Sequence, residues 1–541
     1  MLDGDGPEMI GTPCERGLHR RTMGAWGIGV LGFLITCAGP FGVEIAIRSA
    51  GPLFTLIALV LLPVVWAMPQ GMMTAEMSSM EGMDENGGYV LWVQEAFGDC
   101  LGFVNGLTCA TTNLADLPAY GVLSVDYLVI YLDYAHGIEL SIWYQVLIKT
   151  FIVIFVFFAN ARGLESVGYV SLLLTVLVLL PFAIQLVYMG FENELRPSTW
   201  LDKSKICEDE EILTYTACLK AGKKLRTNYD WGLFFNTMIW SYMGWDSLGC
   251  IAGEVKNPRK SYPRGILIAI VMNTLTYAVP VMTAASANDD YSLYDDGFFV
   301  TVAYDVRPWL GAWVVTAAMV SGLAQYNACM ATTSRALWAL GGGEDTIVKD
   351  PIVPRFFAKS WDRFDSPIVA IFFQSLTTSV LMLLPFEFLL EINVFLNNIT
   401  LFLEMSAWVY FRKYQPDRKR PITVPYGNFG LAYIVIPKTV VMCISMAMSG
   451  WLIWLCGGIV EMFIIGAYFL RRELRKRSAA RNGGRMAVKL VDDDDDDATA
   501  KPPKLVESAA RSDAEEKAVR RTERQPLAPS TPRTDSPTSY I

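Results

Sequence analysis

Apolar runs and polar interruptions alternate along this chain at a spacing that a soluble core does not require. Residues 49–75, 166–191, 265–288, 308–334 and 366–386 contain no Asp, Glu, Lys or Arg. A run of about 20 apolar residues is what a helix needs to cross the hydrocarbon of a bilayer. The pattern predicts about twelve transmembrane helices, at 25–47, 52–78, 98–131, 140–161, 165–190, 230–253, 262–287, 309–338, 366–385, 388–411, 429–448 and 450–470. The eleventh is the most interrupted, with Lys438 directly after Pro437. In lipid every backbone polar group must be satisfied within the protein, so the pattern describes an all-α integral membrane protein.

Two spans do not read as continuous helices. The first holds Cys37-Ala38-Gly39-Pro40-Phe41-Gly42-Val43-Glu44 at its centre. Proline has no N–H for the helical ladder and clashes with the preceding turn. Broken backbone at membrane depth survives only where it is buried in protein or lines a cavity. The sixth holds Ile239-Trp240-Ser241-Tyr242-Met243-Gly244-Trp245-Asp246-Ser247, again with glycine, small polar residues and an acid. Each broken span leads a group of five, which predicts a five-plus-five inverted repeat with its site at the breaks. The freed N–H groups of Gly39 and Gly42 are candidate substrate contacts.

Composition sharpens this picture. The chain has 541 residues, 52% hydrophobic and only 18% charged. Its net charge of −9 does not identify a partner, because much of it lies in tails and loops. Basic residues cluster in the N-terminal segment (Arg16, Arg20, Arg21), the sixth-to-seventh connection (Lys256, Arg259, Lys260, Arg264), the tenth-to-eleventh (Arg412, Lys413, Arg418, Lys419, Arg420) and the C-terminal flank (Arg471, Arg472, Arg475, Lys476, Arg477). Alternating spans put all of these on one side, so both termini are expected in the cytoplasm. The second-to-third connection dissents, with Glu81, Asp84 and Glu85 and no Lys or Arg. The expected organisation is a cytoplasmic segment 1–24, a transporter domain 25–470 and a disordered cytoplasmic tail 478–541 carrying Asp492 to Asp497. The polar residues 1–23 do not form a cleavable signal peptide.

Other classes of chemistry find no support. The ten cysteines form no CxxC or Cys/His cluster, so neither a metal nor another cofactor is expected. No nucleophile–base set or phosphate loop marks an enzyme, and nothing marks a nucleic-acid partner. His19 and His136 both lie outside the spans, so any coupled proton must ride on carboxylates. Cys207 and Cys218 lie in the long 192–228 loop, where they either form a disulfide or remain free thiols. Asp289, Asp290, Asp295 and Asp296 on the same side either concentrate cations or simply form a solvated loop.

The candidate chemistry is acidic. Glu44, Asp116, Asp246 and Glu404 fall inside spans, where each acid costs about 2.5–3.5 kcal/mol on the insertion scale. Lys149 is the main intramembrane cation, so these acids outnumber their partners and call for a cationic substrate or protons. Asp116 has Tyr120 one turn later, and that ring can cover an ammonium by cation–π contact. Asp246 either recognises a cation or caps broken backbone. Glu44 either meets a substrate amine or accepts from the N–H groups of the new half-helix. Glu404 either gates and protonates or makes a structural hydrogen bond. Trp240, Tyr242 and Trp245 form either an aromatic gate or ordinary packing. Asn113, Tyr326 and Asn327 are weaker candidates, since buried amides often join helices.

Several stretches carry a resemblance. Ala38 to Glu44, Glu85-Asn86-Gly87-Gly88-Tyr89-Val90, Asp126-Tyr127-Leu128, Phe235-Asn236-Thr237-Met238, Ala252-Gly253-Glu254-Val255, Glu404 and Val424-Pro425-Tyr426 resemble motifs of the amino acid–polyamine–organocation superfamily. Within it they look like the polyamine-uptake branch of plants and trypanosomatid protozoa, over about residues 25–470. The resemblance implies a LeuT-like fold with broken helices 1 and 6, and a site lined by span three. Asp116 and Asp246 match acids of that branch. It further implies a plasma-membrane secondary transporter that imports putrescine and spermidine by alternating access, as a proton symporter. A polyamine has no carboxylate and needs anions spaced along a cavity, which Asp116 and Asp246 would supply. Some proton-coupled relatives carry a lysine in the fifth span. Residues 166–191 have none, so that mechanism does not transfer. Two alternatives stay open, an amino-acid permease and a nutrient sensor that signals through its tail. The sequence is silent on any accessory subunit.

Overall fold

In the computed structural model, residues 24–481 are described, apart from 38, 82, 84–87, 163–167, 208–214, 246–257, 343–350, 362–363 and 365. The chain divides into two units, Met1–Leu474 and Arg475–Ile541, and the site lies in the first. The basic N-terminal segment, the acidic run at 492–497, the 252–255 motif and most of the 85–90 motif lie outside the described residues.

Each predicted span holds helix. The first is broken into α1 (Ala25–Thr36) and α2 (Glu44–Ala50), and the second is α3 (Pro52–Leu62), a π-helical turn (Pro63–Ala67) and α4 (Met68–Ser78). A short connecting helix, α5 (Gly88–Phe97), leads to α6 (Asp99–His136), α7 (Ile142–Ala161) and α8 (Gly168–Phe191). The following loop contains β1 (Lys205–Cys207), α9 (Tyr215–Lys220) and β2 (Leu225–Thr227). The sixth span begins with α10 (Trp231–Trp240) and the seventh is α11 (Pro258–Ala287). After the connecting helix α12 (Phe298–Val306) come α13 (Pro308–Leu340), α14 (Ile368–Leu381), α15 (Phe386–Tyr414), α16 (Gly427–Met448) and α17 (Trp451–Arg481). Among the described residues seven helices are long and apolar enough to cross a membrane.

Small residues let the helices around the breaks approach closely. A Cβ on Gly29 of α1 would lie 2.6 Å from Ile268, and one on Gly265 of α11 would lie 2.5 Å from Ile28. The π turn follows from Pro63, which has no N–H to give the Leu59 carbonyl four residues earlier. Tyr242 takes that carbonyl instead, its hydroxyl donating to Leu59 O at 3.1 Å.

The sole sheet among the described residues is an antiparallel ribbon in the fifth-to-sixth loop, pairing Lys205 with Thr227 and Cys207 with Leu225. Cys207 and Cys218 are joined as a disulfide, which settles the choice left open by the sequence. This loop straps the ends of several helices. Ser204 N–H donates to Ala50 O (3.1 Å), Leu53 N–H to Asp202 O (3.1 Å) and Asp230 N–H to Ser49 O (2.9 Å). Trp200 Nε1 donates to Met282 O at 3.0 Å, which ties the loop to α11.

The opposite end of α3–α4 explains the dissenting acidic connection. Glu76 is fully buried and takes Arg412 on both oxygens (2.9 and 2.7 Å) and Arg420 at 3.0 Å. Arg418 meets Glu95 at 2.5 Å, and Lys419 lies 3.8 Å from Glu81. Glu76, Glu81 and Glu95 therefore share one face with the bases of the tenth-to-eleventh connection and are neutralised by them; Asp84 and Glu85 lie outside the described residues. On the disulfide face, Arg48 at the end of α2 pairs with Asp295 of the seventh-to-eighth loop and with Glu387 at the start of α15.

Candidate functional site

The two breaks meet in the middle of the helix assembly. Gly42 and Gly244 both have positive φ, +90° and +91°, a conformation glycine adopts without the Cβ penalty. A Cβ on Gly244 would lie 3.4 Å from Ile35 O and 3.7 Å from Thr36 Cγ2, so the second break rests on the end of α1. A Cβ on Gly42 would press Phe386 at 3.1 Å and Trp240 at 3.4 Å. Polar side chains support the end of α1: Gln325 Nε2 donates to the Ile35 carbonyl at 3.4 Å, and Asn273 Nδ2 donates to the Thr36 hydroxyl at 2.7 Å.

Beside the breaks lies Asp116. Tyr120 hydroxyl donates to its Oδ2 at 2.9 Å, and Trp240 Nε1 donates to its Oδ1 at 3.2 Å. The Tyr120 and Trp240 rings are 6.0 Å apart, and Phe386 meets Trp240 edge-on at 5.5 Å. Asp116, Tyr120 and Trp240 each keep some accessible surface although they sit among the spans. Among the described residues both donors to Asp116 are neutral, and no basic side chain pairs with it. The start of α10 is fixed locally, because Asp230 caps it by accepting from Leu233 N–H at 3.0 Å. Sequence reasoning missed two members of this wall on α13. Cys329 lies beside the Tyr120 hydroxyl, and Gln325 donates to it. Only the packing of α13 against α6, close at Gly322 and Ser124, reveals them.

The other predicted residues scatter. Gly39 is buried in the break, packed by Phe41 and Val178. Glu44 is fully buried and engages a different set of donors from Asp116, accepting from Tyr127 hydroxyl and, at 3.1 Å, from Gly297 N–H. Tyr242 points to α3 and α11, reaching Thr274 Oγ1 at 3.2 Å besides the Leu59 carbonyl. Trp245 is fully buried after the second break, and Asp246 lies outside the described residues. Glu404 is buried in α15 about 27 Å of helix beyond Phe386. Tyr326 is buried, and Asn327 accepts from Asn160 Nδ2 at 2.9 Å, joining α13 to α7. Asn113 remains partly buried on α6. Asn236 of the sixth-span motif donates to Glu391 at 3.2 Å, an α15 acid the sequence reading passed over.

Two broken helices beside a carboxylate that meets no basic side chain among the described residues are the arrangement of a membrane carrier. A family model described as amino acid permease matches residues 28–470. A probable polyamine transporter of Arabidopsis thaliana is 32% identical over 421 residues, covering 77% of each chain. The polyamine transporter PUT1 of Oryza sativa subsp. japonica is 31% identical over 421 residues, 77% of this chain and 72% of that one. The polyamine transporter RMV1 of Arabidopsis thaliana is 32% identical over 421 residues, 77% of this chain and 78% of its own length. The chain belongs to the amino acid permease family, within the amino acid–polyamine–organocation superfamily. It is a multi-pass membrane transporter rather than an enzyme.

Proposed function

We propose that this protein imports polyamines such as putrescine and spermidine across the plasma membrane by proton-coupled alternating access. The observation that carries the reading is Asp116, a carboxylate beside the breaks held by two neutral donors and with no basic partner among the described residues. An ammonium group completes it by charge pairing, and the faces of Tyr120 and Trp240 add cation–π attraction. The aromatic walls from Phe386 and Trp240 suit the methylene chain between ammonium groups. The polyamine transporters among its relatives support the same substrate class. A second carboxylate for the far ammonium is assigned to Asp246.

Access on the disulfide face is controlled at Arg48. Its ties to Asp295 and Glu387 bridge α2, the seventh-to-eighth loop and α15 next to Phe386. Breaking them would let α15 part from the broken first span and open the cavity. The disulfide favours a non-cytosolic location for this face, with both termini cytoplasmic.

Uptake of radiolabelled putrescine, spermidine, arginine and leucine by cells expressing the chain tests the substrate. Putrescine and spermidine are expected to enter and to compete with each other. Entry of arginine or leucine without putrescine would transfer the site to amino acids.

Cys329 gives a second check on the cavity. A cationic methanethiosulfonate added to the wild type is expected to block uptake, and saturating putrescine to protect it. Cys329→Ser should transport and resist the reagent. A wild type that stays active after reaction, or a Cys329→Ser variant just as sensitive, would place the thiol outside the pathway.

A further inference from the structure

Ten residues beyond Asp116 on α6, about 15 Å toward the disulfide face, a second polar centre is built where the substrate reading needs none. Glu44 of α2 is its buried anchor, with no solvent exposure. Its Oε1 takes both donors, Tyr127 hydroxyl and Gly297 N–H, while its Oε2 has no donor among the described residues. Next to it stand Asp126 and Asp296, the residues before Tyr127 and Gly297; a Cβ on Gly297 would lie 3.5 Å from Tyr127 Cα, and the two carboxyl groups act on each other electrostatically. Two neighbouring carboxyl groups repel when both are charged and can share a hydrogen bond once one of them carries a proton.

The charged and titratable groups around the pair come from several elements. Lys149 of α7 acts electrostatically on Asp126, and its Nζ donates to Met382 O at 3.2 Å. Glu44 and Tyr127 stand on one side. Arg48 holds Asp295, the neighbour of Asp296, and also Glu387. Asp305 of α12 is engaged by Tyr134 at 2.6 Å. Among the described residues one lysine acts on a centre of three carboxyl groups, so positive charge is in deficit there. Among the described residues no group of three His, Cys, Asp or Glu is arranged to hold a metal ion.

We propose that Asp126 and Asp296, with Glu44 beside them, form the site that takes the coupling proton, and that this proton fastens the α12 loop over the outer mouth. The assignment rests on the proton-coupled reading above. Asp295 and Asp296 are adjacent, so the segment held by the shared proton is also the segment held by Arg48. With the proton in place, the loop bridges α6 and α2. Once it leaves, Asp126 and Asp296 repel, the loop separates from α6, and the Arg48 contact loosens with it. Proton occupancy and the state of the outer gate thus move together.

The test uses the full chain in proteoliposomes, with an imposed inward proton gradient and labelled putrescine, arginine and leucine in parallel. One coupled proton supplies about tenfold accumulation per pH unit of gradient. The wild type should show that accumulation, and its uptake should fall as external pH rises. Asp126→Asn and Asp296→Asn should lose the accumulation and the pH dependence. Exchange of internal for external substrate, which moves no net proton, should persist at a reduced rate and certify a folded carrier. Asp126→Glu keeps the carboxyl group and should retain gradient-driven accumulation. Asp296 lies on a loop, so its variant tests the pair without altering a membrane helix.

Accumulation retained by both asparagine variants would overturn the assignment, as would wild-type uptake indifferent to the gradient. If arginine or leucine enters and putrescine does not, the substrate reading fails. The proton site is then judged by the same variants on the solute that enters.

Discussion

Asp116→Asn is expected to lower the kcat/KM of putrescine uptake by roughly 30- to 700-fold, the equivalent of about 2 to 4 kcal/mol. The substitution removes one charge and almost no volume. In the native protein the carboxylate accepts from Tyr120 and Trp240 on separate oxygens. Asparagine offers one acceptor oxygen and an NH₂ group, so one of these donors loses its partner. More important, the ammonium of the substrate loses its counter-ion in a cavity where solvent screening is weak. Asp116→Glu retains the charge but moves it by a methylene, so it should recover part of the loss. Among the described residues Asp116 bonds only to the side chains of Tyr120 and Trp240 and to no backbone group, so the variant should still elute as a monodisperse protein in detergent. Uptake by Asp116→Asn at wild-type KM would remove this residue from the substrate site.

Half of this centre was legible before any coordinates. Asp116 and Tyr120 are four residues apart, and on one helix that spacing places them on one face. The break at Gly39–Gly42 was legible for the same reason, since proline and glycine act on local backbone alone. Trp240 required more. Its indole reaches Asp116 from another span, and only the crossing of α10 with α6 brings the pair within 3.2 Å. Cys329 and Gln325 carry no sequence signal, because neither residue type is unusual in a membrane helix.

Tyr242 shows where proximity in sequence misleads. It sits within the second break, yet its hydroxyl serves the carbonyl orphaned by Pro63 in a different span. The requirement to satisfy backbone in lipid took precedence over the site. Asp126 shows the reverse error. It opens the Asp126-Tyr127-Leu128 motif, and nothing in that motif points to Asp296, which the seventh-to-eighth loop brings beside it. The dissenting acid Glu81 follows the same logic, as does Glu95, since their partners Lys419 and Arg418 lie more than 300 residues away. Charge patterning assigns a side from each loop separately, whereas here the two loops form one neutralised surface.

Glu76→Gln is expected to damage the fold rather than the transport cycle. Glu76 has no solvent exposure, and the side chains of Arg412 and Arg420 are only 13% and 7% exposed. The carboxylate also accepts from Val424 N–H at 2.8 Å, which pins the loop before α16. Removing one partner of a buried ion pair costs about 3–5 kcal/mol, because the charge left behind stays desolvated. Here two guanidinium groups are left facing each other, so the upper part of that range applies. A native domain has only about 5–15 kcal/mol in reserve. The variant should therefore give less monodisperse protein and a lower Tm, while the putrescine KM of the surviving fraction stays at the wild-type value. Pairing it with Arg420→Met removes the surplus charge and should restore part of the Tm. The Asp116 cavity predicts the opposite split, with KM and kcat/KM changed and Tm held. A Glu76→Gln variant with native Tm and altered KM would show that this knot belongs to the transport pathway and not to its scaffold.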